Sequence, residues 1–124
     1  MAAIRDVVPR LKSADLKRTR RFYAITLGLK TTVLWPRRKP IFCILDRVGV
    51  RIAFVQGGPP SSSAELSIDV EDAAGWHRKL KKKVAIEWGP EVYSYGRREF
   101  AFRDPDGHMI ILSEPTKDPP TCQV

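Results

Sequence analysis

The chain has 124 residues, 43% hydrophobic and 29% charged, which fits one compact domain with a single core. Lys and Arg number 22 against 14 Asp and Glu, a net charge of +8, which favours anionic partners over cationic ones. No apolar run approaches the roughly 20 residues that span a membrane, so no membrane partner is expected.

The start, Met1-Ala2-Ala3-Ile4-Arg5-Asp6, has no apolar signal core. Cys43 and Cys122 are far apart and form neither a disulfide framework nor a metal knuckle. A reducing cytoplasm is the expected location. The cations are scattered along the chain. Lys17, Arg18, Arg20 and Arg21 fall on a predicted helix, Arg37, Arg38 and Lys39 in a turn, and Lys81, Lys82 and Lys83 at the end of a second helix. They read as three solvated surfaces. Nucleic acid, supported by charge alone, is not an expected partner.

In chain order, the first extended segment is Val7 to Lys12. Asp15 is a fitting N-cap, because its carboxylate can accept the free amides of a helix start. The helix runs to about Leu27, with Leu16, Tyr23 and Leu27 on one face. Gly28 suits the left-handed position that stops it. Extended segments follow at Leu29 to Trp35, Ile41 to Leu45 and Val50 to Gln56. A Gly/Pro/Ser connector occupies 57–63.

The second half starts with a strand at Glu65 to Val70 and a second N-cap, Asp72. Ala73, Trp76 and Leu80 give the next helical face. Val84 to Trp88, Val92 to Tyr95, Glu99 to Arg103 and His108 to Ser113 read as extended. Asp104-Pro105-Asp106-Gly107 is a turn, after which His108 is expected at the surface. Residues 115–124 carry three prolines and little to bury, so a flexible tail is expected.

A repeat organises these elements. Strand, Asp15, helix returns as strand, Asp72, helix, and Asp46…Gly49 returns as Asp104…Gly107. Each helix precedes a run of strands, which excludes a doubly wound sheet. The fold class is therefore α+β: two tandem βαβββ modules, about 7–56 and 64–114, forming a curved mixed sheet with a concave cleft within one domain, 1–114.

Four stretches carry a family pattern: Val8-Pro9 through Leu16, Phe22-Tyr23 with Leu27-Gly28-Leu29, Ser67 through Asp72, and Gly96 through His108. In this order and spacing the chain resembles the glyoxalase/bleomycin-resistance/extradiol-dioxygenase (vicinal oxygen chelate) superfamily, and most of all its bleomycin-resistance-like branch. The resemblance covers about residues 7–114. It implies a cleft but no single reaction, since the fold hosts lyases, isomerases, dioxygenases and binding proteins.

The resemblance also implies where a divalent metal would be held in the metal-dependent members. Those positions fall on Val8, Glu65, Ala53 and Ile111. Only Glu65 has a donor atom, and one carboxylate does not hold a catalytic ion against water. Glu114 and Gln56 stand three residues past two of these positions, which points them to the opposite sheet face. No metal ligand and no cofactor is therefore expected.

Without a metal, Glu65 is the candidate catalytic residue, as a general base. It is equally able to anchor a ligand without chemistry. His77 reads as a surface residue and Cys43 as an inert buried thiol. The expected ligand-binding residues are Trp35, Phe54, Trp88 and Tyr95 as aromatic liners, with Arg98 and Arg51 as polar anchors. The expected function is metal-independent binding or sequestration of a small molecule, in the manner of drug resistance, in a cleft completed by a homodimer. The ligand is expected to be anionic or a neutral aromatic rather than cationic. The alternative is a metal-dependent glyoxalase-type lyase or dioxygenase with Glu65 as one ligand.

Overall fold

The computed structural model describes residues 2–57 and 63–122, which divide into two compact units at residues 61 and 62. The expected connector over 57–63 lies, apart from its two ends, outside the described residues. The first unit holds β1 (Arg10–Ser13), α1 (Leu16–Thr26), β2 (Lys30–Trp35), β3 (Phe42–Arg47) and β4 (Val50–Gln56). The second holds β5 (Glu65–Asp69), α2 (Ala73–Leu80), β6 (Ile86–Tyr93), β7 (Arg97–Arg103) and β8 (Met109–Pro115). Each is a βαβββ module, and the class is α+β.

The strands form two four-stranded mixed sheets, one per module, in the orders β1-β4-β3-β2 and β5-β8-β7-β6. The helix returns the chain so that the first strand lies parallel to the last, β1 beside β4 and β5 beside β8. The remaining neighbours are antiparallel hairpin partners.

Local chemistry sets the helix ends. The Asp15 carboxylate accepts from the Arg18 amide at 3.2 Å, and the Asp72 carboxylate from the Gly75 amide at 3.0 Å. At the other end of α1, Gly28 adopts φ +70°, which lets the Leu27 and Leu29 amides both reach the Tyr23 carbonyl. β1 starts later than the sequence suggests, at Arg10. Pro9 has no amide to donate, although its carbonyl accepts from Ala53.

The two extended segments expected on either side of Gly89-Pro90 are one strand, β6. It absorbs the Gly-Pro pair as register shifts against β7 rather than as a turn. Gly89 has φ +84°, and a Cβ there would stand 2.4 Å from the Glu99 carbonyl. Only glycine lets β6 pass this close to β7.

Each helix covers one face of its own sheet. In the first module Leu11, Cys43, Leu45, Ile52 and Phe54 are buried, as are Leu16 and Tyr23 of α1, and the Tyr23 and Phe54 rings meet at 5.1 Å. In the second, Phe100, Phe102, Ile110 and Leu112 are buried along with Ala73 and Leu80 of α2. The His77 ring meets Phe100 edge-on at 5.3 Å, so His77 does more than face solvent. Burying one such Leu or Phe side chain contributes about 2 kcal/mol.

Two further expectations change. His108 is buried, not at the surface. Its amide donates to Asp104 Oδ1 at 2.9 Å, and its Nδ1 accepts from the Ala64 amide at 2.9 Å, tying the turn to the entry of β5. The segment after β8 does not project free through residue 122. The Thr121 amide donates to the Val92 carbonyl at 2.8 Å, and the Val92 amide donates to Thr121 Oγ1 at 2.7 Å. These bonds occupy the outer edge of β6, which no strand among the described residues covers. No helix among the described residues is long and apolar enough to cross a membrane.

Candidate functional site

Strand alternation sorts the second sheet into two faces. Arg98, Phe100 and Phe102 of β7 point to the α2 side. Arg97, Glu99 and Ala101 point to the other, where register sets them beside Tyr93, Ser113 and Trp88. This helix-free face carries a connected polar network. Glu99 is only 8% exposed and accepts twice, from the Tyr95 hydroxyl at 2.5 Å and from the Ser113 hydroxyl at 2.7 Å. Arg97 Nε donates to Ser113 Oγ at 2.5 Å, and the same guanidinium forms a salt bridge with Asp69.

The network fixes an aromatic surface. Tyr93 and Tyr95 stack with centroids 5.4 Å apart and planes 3° apart, and Trp88 meets Tyr93 edge-on at 6.0 Å. Tyr95 remains 57% exposed. Its phenol is pushed up to about 12, first by the hydrogen bond to Glu99, then by burial and by the Glu99 charge. Burial is also the main cause that raises Tyr93. Tyr95 is therefore a neutral donor whose proton is committed to Glu99 and whose oxygen can still accept. The arrangement offers a flat ring for stacking and a few oriented polar groups. It contains no activated nucleophile.

The structure thus brings Trp88 and Tyr95 together through Tyr93. Of the other expected residues, Arg98 lies on the opposite face of the same sheet, and Phe54, Trp35 and Arg51 belong to the first module. Phe54 is fully buried against Tyr23 and is a core residue, not a liner, because alternation along β4 turns it toward α1. Arg98 lies on the α2 side, paired with Glu114 at 3.5 Å and with Asp118, so it does not anchor a ligand beside Tyr95. Trp35, 61% exposed, ends β2 opposite Phe42 on the helix-free face of the first sheet. The Arg10 guanidinium lies 5.2 Å from the Phe42 ring centre. Arg51 shares that face but is engaged with Asp46 at 3.5 Å and Asp6 at 3.8 Å.

Glu65 is exposed at the first position of β5, opposite Met109. Cys43 is buried, and burial pushes its thiol up, away from the reactive thiolate.

Of the four positions that the resemblance assigns to a metal, Val8, Ala53 and Ile111 have no donor side chain. Among the described residues there is no group of three His, Cys, Asp or Glu that could hold an ion. Gln56 and Glu114 are spent on the helices. Gln56 Oε1 accepts from the Leu16 amide at 3.2 Å, and Glu114 Oε2 from the Asp72 amide at 3.1 Å.

A family model for the Glyoxalase/Bleomycin resistance protein/Dioxygenase superfamily matches residues 10–112. The chain belongs to this superfamily. No curated protein matches it. Among solved structures, an integron cassette protein of Vibrio cholerae is similar at 25% identity and TM-score 0.70, over 92% of this chain and 97% of that one. The bleomycin resistance determinant encoded on transposon Tn5 is similar at 24% identity and TM-score 0.73, over 90% and 98%. A bleomycin-binding protein in complex with bleomycin is similar at 24% identity and TM-score 0.71, also over 90% and 98%. The shared architecture is the bleomycin-resistance fold.

Glu99, Ser113, Arg97 and Tyr93 were not among the expected site residues. Arg97-Arg98-Glu99 is part of the Gly96-to-His108 family stretch, and of these three only Arg98 was expected at the site. The available signal was parity: Phe100 and Phe102 claim the core, so Glu99 must face the other way, as does Ser113, two residues past Ile111.

Proposed function

We propose that this superfamily member is a metal-independent binding or sequestering protein for a small planar molecule, of the drug-resistance kind, acting as a cytoplasmic homodimer. The observation that carries this reading is the Tyr93–Tyr95 stack, held by Glu99 and left exposed beside Trp88. Small-molecule sites combine such apolar rings with a few fixed polar groups. The absence of donors at three of the four positions where the family holds its metal supports metal independence. The similarity to a bleomycin-binding protein supports a drug-like ligand. The long-range field of a chain at +8 disfavours the approach of a cationic glycopeptide such as bleomycin and leaves a neutral or anionic aromatic as the preferred ligand.

Calorimetric titration with coumarin, coumarin-3-carboxylate and bleomycin tests the reading. Binding of at least one of the first two, tighter than bleomycin and weakened by Trp88→Ala, is expected. No binding by either coumarin, or equal binding to Trp88→Ala, contradicts it. Sedimentation at micromolar concentration is expected to give a dimer. Stoichiometric divalent metal in the purified protein, lost in Glu65→Ala, would favour the lyase or dioxygenase alternative.

A further inference from the structure

The two modules differ sharply in charge. Residues 1–61 hold 13 Lys and Arg against 3 Asp and Glu, a net of +10, while residues 62–124 hold 9 against 11, a net of −2. A groove of about 570 Å³ lies entirely within the basic module, between the first turn of α1 and the β2–β3 turn. It shares no lining residue with the aromatic surface of the other module, and the proposed function does not use it.

The groove has an apolar part and a cationic part. Leu16, Leu34, Pro40 and Ile41 supply the apolar wall, with Ile41 48% exposed. Lys17, Arg20 and Lys39 supply the charge. Arg20 is held in place by its Nε donating to Thr31 Oγ1 at 2.9 Å. Lys17 and Lys39 have no ion-pair partner among the described residues. Asp15 and Gln56 also line the groove, but both accept from α1 amides, Arg18 and Leu16 respectively. The side-chain cations, not the helix end, are therefore left to read an anion.

We infer that this groove binds a small amphiphilic anion, with an apolar body against Leu34, Pro40 and Ile41 and a carboxylate or phosphate head among Lys17, Arg20 and Lys39. Three cations around an apolar wall select for charge and apolar surface together. The strongly basic module raises the local concentration of such a ligand. A neutral analogue keeps the apolar contact and loses the rest.

Amide-resolved NMR titration of the full chain tests this with sodium octanoate, octyl phosphate and octanol. Saturable shifts at Leu16, Lys17, Leu34 and Ile41 are expected with the two anions, at an affinity at least roughly tenfold above octanol. The Lys17→Ala/Lys39→Ala variant is expected to keep its melting temperature and bind the anions roughly tenfold more weakly. Trp88→Ala is expected to bind them as the parent does, which separates this site from the aromatic one. Octanol binding as tightly as octanoate, or an unchanged affinity in the lysine variant, overturns the inference. So does pelleting with phosphatidylglycerol vesicles without any shift from the free anions, which would make the groove a membrane contact.

Discussion

The Tyr95 hydroxyl donates to Glu99 Oε1 at 2.5 Å across the turn between β6 and β7. One carboxylate thereby sets the position of an exposed ring, and through Ser113 it also meets Arg97. The aromatic surface is fixed from below by hydrogen bonds rather than by surrounding apolar walls.

Replacing Glu99 by Gln removes the charge and leaves an acceptor. The Tyr95 phenol is expected to fall from about 12 toward the ordinary tyrosine value of roughly 10. Alkaline absorbance titration, with Tyr95→Phe to identify the transition, measures this. The sign for stability follows from linkage. A phenol raised in the folded state stabilises it fully below the unfolded value near 10, and that contribution is lost as pH rises through about 12. Tyr95→Phe should lack this loss across the same window.

Trp88→Ala and Tyr95→Ala are each expected to weaken binding of a planar ligand by about 1 kcal/mol, roughly fivefold in Kd, with little change in melting temperature. Phe54→Ala should behave in the opposite way. It is expected to cost about 3–5 kcal/mol of stability, because its ring fills the core against Tyr23. Calorimetric titration and thermal denaturation on the same variants separate the two outcomes.

Gln56 and Glu114 occupy corresponding places in the two modules, and each satisfies an amide at the start of its helix. Gln56→Ala and Glu114→Ala are each expected to destabilise the protein by about 1 kcal/mol. Glu114→Ala should cost more, because it also releases Arg98. Urea denaturation checks the stability, and affinity for a planar ligand at the Tyr95–Trp88 surface is expected to stay constant in both.

The repeat made the fold legible, because Asp15 and Asp72 do cap α1 and α2, and each helix is followed by three strands. The same counting correctly turned Gln56 and Glu114 away from Ala53 and Ile111. The site was harder to read. Trp88 and Tyr95 stood out as rings near strand ends, but Tyr93 links them, and only the shifted register of β6 around Gly89 sets Trp88 opposite Ala101. Phe54 carries the same chemistry as a liner and differs only in strand parity. Glu99 was not singled out, because its burial depends on partners to either side, Tyr95 four residues before it and Ser113 fourteen after it. His108 followed a turn glycine, which usually means exposure, yet Ala64 and Asp104 draw it inside.

In the proposed function the Tyr95–Trp88 surface binds its ligand without a metal. The decisive experiment is calorimetric titration of coumarin-3-carboxylate into the protein before and after dialysis against EDTA. The same Kd in both, unaffected by Glu65→Ala, is predicted. Affinity lost on chelation and restored by a divalent ion would contradict it.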